Sequence, residues 1–419
     1  MPEKREMTIR PYERLAGDWP TRFHLRVDPD GSGLLMANAA EAAWLSPVGV
    51  RMATGVLEGR NDDEIVEAVC AEFKGAPESQ VQADLTAVHR LIEDLSEPGD
   101  DYPVTNLTDP TLSHWERQVA APLRADVDQC DPERFRTMLA KLWDAGVPHV
   151  CIQAKRERDN AELMLLVEAA GDIGMICGIR AVAGCLSEPL LESCAMAGLD
   201  HLDLLFVSHD AAEHDEIAGA GDHEVFHAAI GWCRALELAP VAQVPLVDGT
   251  LVRMDDMIAD LEALNVTNVV GFAIACPDDD AEADAAGALP ARALPQVATT
   301  FFELADSTNG RYLWAPPKRY DDCCPLAEQI LSGPRTSGDI TIRVREDGTV
   351  LPPRGAEGVG NLLHDDWSAI WRHDAFKRYR ERLKAPTRCP DCPDLPICNA
   401  DCPKDPDGWS DDRLGGEAK

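Results

Sequence analysis

The chain has 419 residues, and its 74 Asp and Glu against 39 Lys and Arg give a formal net charge of −35. Such an acidic chain repels phosphate backbones and anionic lipid, which disfavours nucleic acid and membrane surfaces as partners. An apolar content of 45% argues against disorder, and the lack of an apolar signal region or of an apolar span of roughly 18 residues predicts a cytoplasmic protein.

The first predicted module covers residues 23–98, after a charged tail at residues 1–22. Residues 23–37 join two apolar runs through Asp-Pro-Asp-Gly-Ser-Gly, which predicts a β-hairpin. Three helical patterns follow, at about 38–57, 61–73 and 79–95. Asn61 is the expected N-cap of the second helix. A hairpin with three short helices indicates a winged-helix-like module.

The next block, residues 119–320, follows a linker rich in Pro and Gly at 99–118 and alternates strand runs with amphipathic helices. The candidate strands, whose starts are spaced like those of βα units, are Ala125–Asp128, His149–Gln153, Met175–Ala181, Leu202–Val207, Pro240–Val247 and Asn268–Ala275. Arg311–Trp314 is a candidate seventh strand. The fold class is therefore α/β, an open parallel (β/α)6-type partial TIM barrel, with a site expected at the carboxyl ends of its strands.

Three groups of reactive or charged side chains lie on or just after these strands. Four histidines follow the fourth strand: His209, His214, His223 and His227. Three basic residues follow the second strand: Lys155, Arg156 and Arg158. Three cysteines lie on or near the first three strands: Cys130, Cys151 and Cys177. The histidines could bind a metal and the basic residues an anion, but solvated surface positions are favoured for both groups. The cysteines could converge on a metal, but packing in the core is favoured for them.

The C-terminal block, residues 321–419, contains the densest group of cysteines. They are Cys389, Cys392, Cys398 and Cys402, spaced Cys-x2-Cys-x5-Cys-x3-Cys. In a reducing compartment such a cluster indicates metal ligation rather than disulfides. Four thiolates suit zinc or an iron–sulfur cluster, and spacing alone does not choose between them. A hairpin over Ile340–Leu351 and a basic helix at about 365–384 precede the cluster.

The C-terminal block resembles a SPASM domain, the auxiliary iron–sulfur extension of radical S-adenosylmethionine peptide maturases. The resemblance rests on the hairpin turn Asp347–Val350, on Gly360-Asn361-Leu362 and on the cysteine loop. The N-terminal module is similar to the PqqD-like family in its hairpin, in Ala39–Leu45 and in Asp84–Leu95. The block between them has the pattern of a radical S-adenosylmethionine barrel. The resemblance thus implies the domain order of a maturase over nearly the whole chain.

The chain departs from this family where the reactive cluster would be held. The family has Cys-x3-Cys-x2-Cys after the first strand, whereas Asp128–Glu133 contains only Cys130, and the motif occurs nowhere in the chain. The family's Gly-Gly-Glu after the second strand is replaced by Gln153–Glu157. Arg335 and Pro353 stand at two SPASM cysteine positions, which leaves ligands for one auxiliary site. One thiolate does not hold a four-iron cluster, which argues against S-adenosylmethionine as a cofactor.

We therefore predict a non-catalytic partner or scaffold in a peptide- or protein-modification system, beside a catalytic radical S-adenosylmethionine protein. The PqqD-like resemblance implies capture of a precursor peptide by strand addition at the hairpin edge, against the third helix. The expected contacts are Leu34, Leu35, Met36, Val88, Leu91 and Ile92. The four C-terminal cysteines would hold one [4Fe–4S] cluster, with zinc as the alternative. An active maturase with a non-standard cluster and a zinc-stabilised binding protein are the alternative functions.

Overall fold

The computed structural model describes residues 7–16, 19–37, 41–96, 121–156, 160–278, 280–307, 311–336, 338, 340–352 and 358–380. The predicted linker and the four C-terminal cysteines lie outside these ranges. The described residues form a four-stranded antiparallel sheet with three helices and an 11-stranded, mainly parallel sheet with helices around it. No helix among them combines the length and the apolar character that crossing a bilayer requires.

The N-terminal unit contains more strands than the sequence predicts. Its strands pair in chain order and are β1 (Thr8–Ala16), β2 (Trp19–Val27), β3 (Gly33–Ala37) and β4 (Glu41–Leu45). Its helices are α1 (Pro47–Leu57), α2 (Asp62–Glu72) and α3 (Glu78–Ser96). The hairpin of β2 and β3, the three helices and the N-cap at Asn61 are confirmed, with the Glu64 N–H donating to Asn61 Oδ1 at 2.9 Å.

Two predictions for this unit were wrong. Residues 8–16, expected in a charged tail, form β1, which pairs with β2 along its whole length. Strand formation here depends on hydrogen bonds to β2, and the charged sequence of these residues gives no sign of that pairing. The first helix was expected from residue 38, but it begins at Pro47, where the Ser46 side chain accepts the Gly49 N–H at 3.1 Å. The residues before it form β4 instead.

One face of the small sheet packs on its own helices. Phe23, Leu25 and Leu35 are fully buried and share a core with apolar residues of α1, α2 and α3. Side chains alternate along a strand, so Arg22, His24 and Arg26 of β2 lie on the opposite face. The sequence pattern alone would place this second face in solvent.

The second face is instead covered by the base of the barrel. Arg22 Nη1 donates to Asp200 Oδ1 at 2.7 Å, and His24 Nε2 donates to the Gly174 carbonyl at 2.6 Å. Arg26 Nη1 donates to the Ala121 carbonyl at 3.0 Å. Gly174 and Asp200 both lie just before a strand of the larger sheet. The N-terminal unit therefore closes the amino-terminal end of the barrel, opposite the expected site.

The larger sheet confirms the α/β class and the alternation of strands with helices. Its parallel strands are β5 (Arg124–Asp128), β6 (His149–Gln153), β7 (Ile176–Ala181), β8 (His201–Leu205), β9 (Ala239–Leu246), β10 (Asn268–Cys276), β11 (Leu289–Pro290) and β12 (Arg311–Arg319). Its helices are α4 (Pro132–Asp144), α5 (Ala161–Ile173), α6 (Glu188–Met196), α7 (Ala211–Ala218), α8 (Asp222–Ala235), α9 (Asp248–Leu251), α10 (Met254–Ala263), α11 (Ala281–Ala285) and α12 (Leu294–Ser307). The candidate seventh strand is confirmed, since β12 pairs in parallel with β10.

The C-terminal elements extend this sheet on its other side. They are α13 (Leu326–Leu331), β13 (Thr341–Val344), β14 (Thr349–Leu351), β15 (Gly360–Asn361), α14 (Trp367–Trp371) and α15 (Asp374–Arg380). The predicted hairpin is confirmed as the antiparallel pair β13–β14. Pairing of β13 with β5 in parallel was not foreseen. Among the described strands, β12 and β15 are not joined to each other, so the barrel is open.

Candidate site in the barrel interior

Charged side chains line the interior of the barrel sheet. On β5, Ala125 and Val127 pack in the core of the barrel domain, and the alternate residues face the other way. The interior side chains that bond to one another are Arg124, Asp126, Asp128, Gln153, Arg180, His201, Asp203, Gln243 and Arg343. This network was not predicted from the sequence, although the charged residues inside the strand Arg-Ala-Asp-Val-Asp were the available signal.

Asp203 on β8 is the centre of the network. Its Oδ2 accepts from Arg124 Nη2 at 2.9 Å, and its Oδ1 accepts from His201 Nδ1 at 2.7 Å. Burial alone would raise the pKa of Asp203, but His201 and Arg124 outweigh it and hold that pKa well below its ordinary value. Asp203 is therefore a buried carboxylate that stays charged because cationic and hydrogen-bonding partners surround it.

A second carboxylate links three strands at the next level of the interior. Asp126 on β5 accepts from Arg124 Nε at 2.7 Å and from Arg180 Nη1 at 2.8 Å. Burial raises the pKa of Asp126, and the two guanidinium groups lower it further than burial raises it. Arg180 also donates to Gln153 Oε1 at 2.9 Å, so β5, β6 and β7 are joined by side chains as well as by backbone.

Two histidines extend the network towards the base of the barrel. His149 Nε2 lies 2.9 Å from His201 Nε2, so the two rings share one proton across this contact. Burial, followed by Arg124 and His201, lowers the pKa of His149 well below its ordinary value, and the ring is neutral. Gly178 on β7 makes room for His201, because a Cβ at residue 178 would lie 1.9 Å from His201 Nε2.

The carboxyl-terminal end of the strands opens into two neighbouring cavities. The smaller, of about 450 Å³, is bordered by four cationic residues and two carboxylates: Lys155, Arg156, Arg180, Arg343, Asp128 and Glu328. The larger, of about 820 Å³, lies beside it and shares Asp128 and Arg343. Arg343 donates to Asp128 Oδ1 at 2.9 Å through Nε and at 2.6 Å through Nη2. The C-terminal hairpin therefore helps to build the mouth, whose smaller cavity has an excess of positive charge within an acidic chain.

The residues present do not fit a four-iron cluster at the usual position. Cys130, the cysteine of the loop after β5, is fully buried in the apolar core between sheet and helices. Asp131 follows it and caps α4 by accepting the Glu133 N–H at 3.0 Å. The loops after β5 and β6 also bind each other, since Gln129 Oε1 accepts the Lys155 N–H at 2.9 Å. The position that a cluster would need is occupied by core packing and by a helix start.

The hypothesis that three barrel cysteines converge on a metal is not borne out. Among the described residues, Cys130, Cys151 and Cys177 do not form a group of metal-binding donors. Cys151 faces the interior, 3.8 Å from Asp203 Oδ2, whereas Cys177 packs in the apolar core. Burial raises the pKa of both thiols, which keeps them from becoming thiolates.

The residues predicted to contact a leader peptide lie in the core. Leu34, Leu35 and Met36 have no exposed surface, and Ile92 keeps 1%. Val88 is also buried and Leu91 is half-buried, both in the apolar cluster of the N-terminal unit. The hairpin has no free edge either, because β1 covers β2 and β4 covers β3. The expectation of peptide pairing at this hairpin is therefore wrong in the described structure, and the edges of the sheet are β1 and β4.

Three of the four histidines after the fourth strand, His214, His223 and His227, fall into two different environments. His214 is fully buried and pairs with Asp222 Oδ2 at 3.0 Å through Nε2, so it is a structural residue. His223 and His227 lie together on α8 beside Asp260 of α10. The C-terminal Cys389, Cys392, Cys398 and Cys402 fall outside the described residues, and their ligation stays a prediction.

Comparison with known proteins adds sequence relatives and a shared fold. No protein-family model matches the chain. The PqqA peptide cyclase of Rhizobium meliloti (strain 1021) is 24% identical over 275 residues, which cover 63% of this chain and 72% of the cyclase. A second PqqA peptide cyclase, from Rhodopseudomonas palustris, is 24% identical over 261 residues, which cover 59% of this chain and 67% of the cyclase.

Two crystal structures of SuiB from Streptococcus suis share the fold. The first matches with a TM-score of 0.54 at 11% identity, and the second, bound to S-adenosylmethionine, with 0.52 at 13%. Each match covers 94% of this chain and 95% of SuiB. The sequence relatives and the shared fold confirm the resemblance to radical S-adenosylmethionine peptide maturases that the motifs indicated: the chain is similar in sequence to PqqA peptide cyclases and in fold to SuiB.

Proposed function

We propose that the chain is a peptide-binding member of this family that does not itself start radical chemistry at the usual position and that serves as partner or scaffold of a catalytic maturase. The observation that carries the proposal is the loop after β5. Its one cysteine, Cys130, is buried in the core, and the thiols of Cys151 and Cys177 are neutral. A cluster that binds S-adenosylmethionine needs three thiolates at one place.

The barrel interior supports the same proposal through its charges. Asp126 and Asp203 are each matched by arginines, so the interior is held together by its own side chains. Because each of these two buried carboxylates has arginine partners among the described residues, its charge needs no cofactor to balance it. The barrel then acts as a rigid body that carries the N-terminal unit at its base and the C-terminal hairpin at its side.

Peptide binding is proposed at the outer edge of β4. Among the described strands β4 has no neighbour on that side, and an extended peptide adds to such an edge through backbone hydrogen bonds. The opposite edge strand, β1, packs against the barrel, where Pro11 lies beside Gly174. A precursor peptide bound at β4 would extend from the N-terminal unit for modification by the catalytic partner.

We also propose one [4Fe–4S] cluster on Cys389, Cys392, Cys398 and Cys402, with zinc as the alternative metal. Four thiolates in fourteen residues form a complete ligand set for either. A cluster at this position would be structural or would relay electrons to the partner. It would leave the barrel interior unchanged.

The test is anaerobic purification followed by analysis of iron, sulfide and zinc and by titration with S-adenosylmethionine. We expect about four irons and four sulfides per chain and no binding of S-adenosylmethionine. The double variant Cys389→Ser/Cys392→Ser should lose the iron, and the matched control Cys323→Ser, an exposed cysteine at the larger cavity, should keep it. A content of one zinc per chain without sulfide would show that the four cysteines bind a structural zinc ion and not an iron–sulfur cluster. About eight irons together with S-adenosylmethionine binding would overturn the scaffold role.

An active maturase with a non-standard cluster is the second candidate, and one observation favours it. SuiB, which shares the fold, was solved with S-adenosylmethionine bound, so the expected absence of this cofactor has no support from the comparisons. Cleavage of S-adenosylmethionine by the purified chain under strong reduction, abolished in Cys389→Ser/Cys392→Ser, would favour this candidate over the scaffold.

A further inference from the structure

Two helices on the outside of the barrel bring three metal-binding side chains together. His223 and His227 are four residues apart on α8, so they project from the same face of that helix. Asp260 projects from α10, which packs beside it. One donor atom from each of the three lies within 4.8 Å of the other two. The two imidazole rings have centroids 4.5 Å apart.

The donor atoms at this point are buried and lack hydrogen-bond partners. They are His223 Nε2, His227 Nε2 and Asp260 Oδ2, and none has a hydrogen-bond partner among the described residues, although His227 Nε2 and Asp260 Oδ2 lie at ion-pair distance from each other. A buried polar atom without a partner costs about 1–3 kcal/mol. Native structures avoid this cost, so three such atoms on side chains that come together indicate a ligand that satisfies all three. A bound cation is the simplest group that does so.

One distance between these atoms agrees with tetrahedral coordination. Ligand atoms about 2.0–2.1 Å from a zinc ion at tetrahedral angles lie about 3.3–3.4 Å from one another. His227 Nε2 and Asp260 Oδ2 are 3.4 Å apart, without the alignment of a hydrogen bond.

The charges of the surroundings also favour a cation. Asp260 supplies a negative charge, and the chain as a whole carries −35. A simple ion pair between His227 and Asp260 would leave His223 Nε2 unexplained, whereas a shared cation accounts for all three atoms.

We propose that His223, His227 and Asp260 bind one Zn²⁺ ion that fastens α8 to α10 on the outside of the barrel. Two nitrogen ligands and one carboxylate oxygen form a three-residue zinc set that leaves the fourth position to water or to a group from a partner. The site lies on the outside of the barrel, and its three ligands belong neither to the interior network nor to the group of C-terminal cysteines. It therefore does not depend on the proposed scaffold function.

The experiment measures zinc stoichiometry on the full-length, untagged chain. Protein purified anaerobically is incubated with ZnCl₂, freed of loose metal by gel filtration and analysed for zinc, beside isothermal titration with ZnCl₂. We compare the wild type with His227→Gln and with Asp260→Asn, which keeps the size of the side chain. His89→Gln is the matched control, since His89 pairs with Asp62 at 2.9 Å and belongs to no three-residue donor group in the described part of the chain.

We expect the wild type and His89→Gln to retain one zinc more per chain than His227→Gln and Asp260→Asn. Loss of a group that only orients a ligand weakens metal binding about 10–100-fold, so loss of a ligand should weaken it by at least about 100-fold. Circular dichroism checks folding, and if His227→Gln is unfolded the comparison is made with Asp260→Asn. Equal zinc content and equal affinity in the wild type and the folded variants would overturn the site.

Discussion

The small N-terminal sheet and the barrel sheet bury polar faces in different ways. In the N-terminal sheet, Arg26 and His24 reach backbone carbonyls of the barrel base, and Arg22 adds a partly exposed ion pair with Asp200. In the barrel, Asp203 is surrounded by side chains that are themselves buried, among them Arg124 and His201. A carbonyl stays neutral and finds water if the two units separate, whereas a buried charge loses its counter-charge when one member is removed. The polar face of the N-terminal sheet is therefore a docking surface between two units. The charged interior of the barrel is a single network, in which removal of one member destabilises the others.

The variant Asp203→Ala gives the strongest test of this difference between the two faces, because Asp203 is the centre of the barrel network. Removal of the carboxylate leaves Arg124 and Arg180 buried with one acid fewer and His201 without its acceptor. Removing one partner of a buried ion pair costs about 3–5 kcal/mol. We expect the free energy of unfolding, measured by urea denaturation, to fall by about that amount.

The control for this variant is Asp63→Ala, an exposed acid in the first turn of α2. It should change stability by less than about 1 kcal/mol, since it touches only a helix terminus. A loss of under about 1 kcal/mol for Asp203→Ala would mean that solvent reaches the network, and the contrast between the two faces would fail.

The pH dependence of stability tests the docking face, because His24 lies on it. Burial lowers the pKa of His24 from 6.5 to about 4, with the Gly174 carbonyl opposing the shift and Arg22 adding to it. A group whose pKa is lower in the folded state takes up its proton more readily when unfolded, so stability is full above pH 6.5 and declines between pH 6.5 and 4. Between pH 7 and pH 5 we expect His24 to remove about 2 kcal/mol of stability.

The measurement compares urea unfolding of the wild type and His24→Gln at both pH values. Glutamine keeps an N–H donor for the Gly174 carbonyl and does not titrate. Other titrating groups, including His149, are common to both chains and cancel in the difference. The wild type should therefore lose about 2 kcal/mol more than His24→Gln on acidification, and equal losses would show that His24 is hydrated in the folded protein.

The sequence indicated the barrel well and the polar faces poorly, for one physical reason. Apolar runs in strands and apolar faces of helices indicate which residues are buried. The strands β6 to β10, the β2–β3 hairpin and the N-cap at Asn61 could therefore be predicted from the local sequence. Whether a polar face meets water or another part of the chain depends on contacts between distant residues, such as Arg22 with Asp200. The convergence of His223 and His227 with Asp260 is of the same kind, because the acid belongs to another helix.

The smallest expected effect lies at the mouth of the barrel, where the network meets the cavities. Lys155 Nζ lies 3.0 Å from Glu346 Oε2 and 3.6 Å from Asp128 Oδ2, but a quarter of the Lys155 side chain is exposed. Exposed and partly exposed ion pairs contribute about 0–1 kcal/mol, so Lys155→Ala should lower the free energy of unfolding by less than about 1 kcal/mol. Urea denaturation at low and high salt is the measurement, and the small loss should shrink further as salt screens the pair. Lys155→Ala could instead lower the free energy of unfolding as much as Asp203→Ala, with a loss that does not change with salt. That result would mean that the ion pairs at the mouth, including Asp128, belong to the buried network.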